Sequence, residues 1–128
     1  MKADEKNVLI EHRISKAIAA INDVEFLISN KRFLLAVNRI YYGMFYILSA
    51  LSLKYDFSTS KHQQLIGWFN KEFISTGEID RKYGKILHNA YNNRSTGDYD
   101  DFAEFDEEDV KKSFDEMKDF IRTIRALL

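Results

Sequence analysis

The chain has 128 residues, no cysteine, no proline and five glycines. That length fits one domain, residues 1–128, able to bury a core without staples, and the missing cysteine excludes disulfides and thiolate metal sites. The net charge of −1 hides an asymmetry. Asp98 to Asp109 hold eight acids and no base, so the other 116 residues carry 19 bases against 12 of the 20 acids, a net of +7. A modestly basic body with an acidic belt suits RNA or an acidic protein partner, although solvated helix faces give the same pattern.

The start, MKADEKNVLIEHR, is too charged for a signal peptide. The first helix is expected from Asp4 to Ser29, because Ile10, Ile14, Ala17, Ile18, Ile21, Val24 and Ile28 recur at helical spacing. A short break at Asn30-Lys31 implies an antiparallel neighbour. That neighbour, Phe33 to Tyr55, is apolar on nearly every side and is expected to be the central, buried helix. Its nearly apolar run from Ile40 to Leu53 spans 14 residues and includes Gly43, Ser49 and Ser52; a membrane span needs roughly 20. No membrane association and a cytoplasmic location are the expectation. Gly43 predicts close approach of another helix. Arg39, Tyr42, Tyr46 and Ser49 form one stripe at spacings of three and four, apolar in body and polar at the tips.

After a turn at Asp56 to Thr59, Ser60-Lys-His-Gln63 reads as a capping box for a third helix that ends at Gly77. Its inward residues are Leu65, Ile66, Phe69, Phe73 and Ile74. Asp80 caps a fourth helix with Tyr83, Ile86, Leu87, Ala90 and Tyr91 inward. Arg94 follows Tyr83 by 11 residues, about three turns, and so shares its face. This helix is expected to break at Ser95-Thr96-Gly97. Asp98 to Phe105 reads as a loop pinned by Tyr99, Phe102 and Phe105. An acidic first turn, Asp106 to Asp109, suits the helix dipole. The fifth helix carries Val110, Phe114, Met117, Ile121, Ile124 and Leu128. The fold class is therefore all-α, an antiparallel bundle of about five helices.

Several chemistries are excluded. The glycines are scattered, so there is no phosphate loop. No Glu or Asp stands three residues before a histidine, which removes a ferritin-like di-iron site. His-Glu-x-x-His and a nucleophile elbow are both missing. No metal or cofactor is expected. What remains is the pair of inward arginines and the tract Asn92-Asn-Arg-Ser-Thr-Gly-Asp-Tyr99.

Arg39-Ile-Tyr-Tyr42-Gly-Met-Phe45, then His62, then Arg94 with Asp98-Tyr99, then an amphipathic last helix, together resemble the HEPN superfamily, in particular its small stand-alone prokaryotic branch. The resemblance runs from about Ile14 to Leu128. It implies a five-helix bundle that forms a homodimer, with arginine sites near the dimer cleft. It also implies toxin or antiviral-defence roles, with ribonuclease activity in many members and a small nucleotidyltransferase as partner in some. The family's active motif is Arg, then four to six residues, then His. Here Tyr99, Asp100 and Asp101 occupy those positions after Arg94, so the arginine carries over and the catalytic histidine does not. The acids beginning at Asp98 would repel an RNA backbone there.

Two functional classes follow. One is a HEPN-like module of a toxin–antitoxin or defence unit, without the usual catalytic histidine. It would bind a nucleotide or RNA phosphate, or a nucleotidyltransferase partner, through Arg39, Arg94, Tyr42 and Tyr99. The other is a metal-independent ribonuclease toxin using Arg94 with Asp98 or His62 as substitute acid or base. A purely structural dimer is a third reading. In the blander view Arg94 pairs with Asp98 or with an acid of the second subunit, and Arg39 has a buried partner of its own; in a coupled view both arginines grip Asp98, closed off by Tyr42 and Tyr99. His12 is expected in solvent, His88 off the Arg94 face, and Trp68 in the core.

Overall fold

The computed structural model describes residues 2–128, and among them there are five α-helices and no strand. They are α1 (Ala3–Ser29), α2 (Phe33–Lys54), α3 (His62–Phe69), α4 (Arg81–Tyr99) and α5 (Glu107–Arg125). The all-α bundle expected from the apolar periods is what forms.

α1 buries Ile14, Ala17, Ala20, Val24 and Ile28. The chain then reverses through Lys31, which adopts a left-handed φ of 57°, while Arg32 N–H donates to Leu27 O at 2.8 Å. α1 and α2 are antiparallel: Lys6, near the start of α1, pairs with Asp56 just past the end of α2 at 3.0 Å. α2 packs against all four other helices. Thirteen of its residues are buried, from Ala36 to Leu53. It is the one described helix long and apolar enough to cross a membrane by length and composition, but 61% of its most apolar window is buried inside the bundle. A core helix of a soluble protein meets the same criterion.

Gly43 is where α2 meets two neighbours. A Cβ there would collide with Met117 Cε of α5 and lie 3.2 Å from Ala20 Cβ of α1. The missing side chain lets three helices converge, as the mid-helix glycine predicted. On α5 the fully buried Phe120 joins Met117 and Ile124 in the core.

Four local expectations need correction. The Ser60 capping box does not form: Lys61 is the cap residue, and the Thr59 hydroxyl accepts its N–H at 3.1 Å and donates to Gln64 Oε1 at 2.7 Å. The third helix does not run evenly to Gly77. After Phe69 it widens into a π-helical turn, Asn70–Ile74, closed by Ser75 N–H to Asn70 O at 2.8 Å. Phe69 and Phe73 both lie in the core, and Gly77 takes the left-handed φ of 79° in the turn beyond. α4 does not break at Ser95-Thr96-Gly97 but continues to Tyr99. Gly97 serves contact rather than termination, since a Cβ there would stand 2.9 Å from Leu34 Cδ1 of α2 and 3.5 Å from Phe105. Finally, of the three aromatics expected to pin the following segment, only Phe105 packs on the core; Tyr99 and Phe102 are exposed. Asp80 caps α4 as expected, accepting Lys82 N–H at 2.9 Å.

Candidate functional site

The site forms where α4 crosses α2 beside the start of α3. The heptad spacing of Arg39 and Tyr46, with Tyr42 between, puts three side chains on one face of α2. The Arg39 guanidinium carbon lies 5.4 Å from the Tyr42 ring centre and 5.9 Å from that of Tyr46, and its Nη2 donates to the Tyr46 hydroxyl at 3.4 Å. Arg94, brought over by α4, stands 5.4 Å from the same Tyr42 ring and 5.7 Å from Tyr41. Its Nη2 donates to the Tyr42 hydroxyl at 3.1 Å. Arg39 and Arg94 are thus joined through one tyrosine.

The continuation of α4 decides the partner of Arg94. Asp98 is one helical turn on, and its Oδ2 lies 3.0 Å from Arg94 Nε. The oxygen is off the line of the N–H, so the contact is an ion pair and the buried Nε–H keeps no hydrogen-bond acceptor. Arg39 has no carboxylate within salt-bridge distance among the described residues. Among the described residues, neither the arrangement in which both arginines grip Asp98 nor a buried ion pair for Arg39 is present. Tyr99 is 84% exposed at the end of α4 and does not close the cluster.

His62, the first residue of α3, stacks on Phe45 with ring centres 4.3 Å apart. Its Nδ1 lies 2.7 Å from the Tyr41 hydroxyl, and its ring meets Tyr42 edge-on at 5.7 Å. Burial, and after it the Arg94 charge, hold the imidazole below its ordinary value of 6.5, so it is neutral at physiological pH. Burial likewise pushes the Tyr41 phenol well up, with Arg94 opposing. His62 therefore belongs to the arginine cluster while standing in the first turn of α3. His88 is exposed and bonded to Asn92 at 3.1 Å, away from Arg94. His12 is exposed, and Trp68 stacks on Phe57 beside the core.

Two cations that the sequence did not single out adjoin this cluster. Lys16 Nζ sits 4.7 Å from the Tyr46 ring centre. Arg13 Nη1 donates to the Ser49 hydroxyl. Their spacing of three on α1, opposite Ser49 on the stripe of α2, was the only signal that could have found them.

With this geometry in place, likeness to known proteins becomes informative. The HEPN domain model matches residues 10–127. The chain belongs to the HEPN domain family. A UPF0332 protein of Thermotoga maritima is 38% identical over 125 residues, covering 98% of this chain and 95% of the relative. A candidate toxin of Methanocaldococcus jannaschii is 37% identical over 102 residues, 80% of this chain and 69% of its own. A second candidate toxin of that organism is 33% identical over 90 residues, with coverage of 70% and 67%. The HEPN bundle thus spans nearly the whole chain, and toxin-like modules are among its relatives.

Proposed function

We propose that this HEPN protein binds a nucleotide or RNA phosphate through Arg39, Arg94 and Tyr42, as part of a cytoplasmic toxin–antitoxin or defence unit. The observation that carries the reading is Arg39. A half-buried guanidinium with no acid partner among the described residues, held over two tyrosine rings, leaves most of its donors for an outside anion. Arg94 adds a second fork on the same ring, and its pairing with Asp98 is the contact a phosphate would displace. The resemblance suggests a homodimer and a nucleotidyltransferase partner. The exposed Leu34 and Leu35 at the start of α2 offer apolar surface for such pairing.

One observation favours a second reading, a metal-independent ribonuclease. His62 is neutral, its Nε2 makes no hydrogen bond among the described residues, and it lies on the same tyrosines as Arg94. A neutral imidazole beside an arginine-held phosphate suits proton transfer at a ribose hydroxyl. Asp98, an ion-paired carboxylate, is the weaker substitute.

The experiment is binding and cleavage of single-stranded RNA, with metal chelated, by wild type, Arg39→Gln, Arg94→Gln and His62→Gln. The binding reading expects intact RNA and an affinity loss of about tenfold or more in each arginine variant. Cleavage abolished by His62→Gln establishes the second reading. Unchanged affinity in both arginine variants overturns the first.

A further inference from the structure

A cleft of about 310 Å³ opens between the middle of α1, the second half of α2 and the loop before α3. Its walls hold Arg13, Lys16, Ser49, Tyr46, His62 and the three hydroxyls of residues 58–60, and no carboxylate. Neither Arg13 nor Lys16 has an acid within salt-bridge distance among the described residues. Ser49 is only 4% exposed. Its hydroxyl accepts from Arg13 and keeps its own proton to donate. Thr59 already donates to Gln64, but two cations and the hydroxyls of Ser49, Ser58 and Ser60, converging without an acid, suit a phosphate, whose oxygens are more numerous than those of a carboxylate.

The cleft is continuous with the arginine cluster. Lys16 and Arg39 lie 4.7 Å and 5.9 Å from the centre of the one Tyr46 ring. His62 lines the cleft and bonds to Tyr41, which carries Arg94 over its ring. A strand held at both places would cross His62.

We propose that Arg13, Lys16 and Ser49 form a second phosphate subsite, taking the neighbouring phosphate of a single-stranded RNA whose first phosphate lies at Arg39 and Arg94. The subsite extends the proposed function and rests on it for the position of the first phosphate.

The test is fluorescence anisotropy of a short labelled oligouridylate, titrated at several salt concentrations. Lys16 is exposed on the surface of α1, so Lys16→Gln leaves the core untouched; Arg13→Gln is the second variant and Arg39→Gln the reference. Each lost phosphate contact should flatten the slope of log affinity against log salt by about 0.7. Affinity should fall about tenfold in each single variant, and Lys16→Gln with Arg39→Gln should flatten the slope twice over. If Lys16→Gln and Arg13→Gln match wild type while Arg39→Gln is weakened, the subsite is overturned and the proposed function stands. If Arg39→Gln and Arg94→Gln both match wild type while Lys16→Gln is weakened, the arginine-cluster reading fails and the subsite stands alone. A folded wild type with no affinity for the oligouridylate overturns both.

Discussion

The Tyr41 hydroxyl and His62 Nδ1 lie 2.7 Å apart, tying the first residue of α3 to the buried centre of α2. The imidazole is held below 6.5, mainly by burial. The unfolded chain therefore binds the extra proton first as pH falls. Stability is fully present above 6.5 and is lost as pH drops from there through the folded value. Thermal unfolding of wild type should show a melting temperature that declines over this acidic window, and His62→Gln should decline less steeply. Parallel curves would show that His62 does not titrate with the fold.

Tyr42 is the shared surface under both arginines. Tyr42→Phe keeps the ring and removes only the hydroxyl that accepts from Arg94 Nη2. The expected stability loss is about 1 kcal/mol, read by denaturant unfolding, and RNA affinity should fall several-fold as Arg94 loses its anchor. Tyr42→Leu, which also removes the face under Arg39, should weaken binding further.

Asp98 competes with any phosphate for Arg94. The pair is surface-facing on the carboxylate side and spans one helical turn, so Asp98→Asn should cost less than about 1 kcal/mol of stability. The same change should raise affinity for single-stranded RNA, both by freeing Arg94 and by removing a negative charge beside the backbone. Anisotropy titration checks this; an unchanged or lower affinity would place the bound strand away from Arg94.

Gly43→Ala sets helix propensity against packing. Alanine gains roughly 1 kcal/mol in a helix interior. Overpacking costs about 1–3 kcal/mol, because the new methyl meets Met117 Cε and Ala20 Cβ together. Met117 can swing aside, but Ala20 is fixed to α1. A net destabilisation of up to about 2 kcal/mol is expected by chemical denaturation. A stabilised variant would mean that α1 and α2 can separate freely at this point.

Much of this fold is legible in the apolar period. The buried faces of α1, α2 and α5 follow the spacing of their isoleucines, valines and leucines, and the placement of Arg94 with Tyr83 and Leu87 needs only the helical repeat. The end of α4 was not legible because Ser95-Thr96-Gly97 has the composition of a break; only the proximity of Leu34 and Phe105 explains why a glycine there continues the helix. The π-helical turn after Phe69 leaves no mark in composition. Half of the candidate site was readable as a stripe, Arg39 to Ser49. Arg13 and Lys16 were not, since a charged residue off the apolar face looks the same whether it points at water or across a groove at Ser49.

The two tyrosine rings of α2 have a further consequence. Arg39 and Arg94 share the Tyr42 ring, and Arg39 and Lys16 share the Tyr46 ring, so the protein without a bound strand holds a file of like charges on two aromatic rings with one carboxylate beside it. Such a file repels itself, and mobile counterions relieve the repulsion over a Debye length of about 8 Å at physiological ionic strength. Heat resistance of the empty protein should therefore climb with added salt, whereas a bound strand already neutralises the file and should remove most of that salt response.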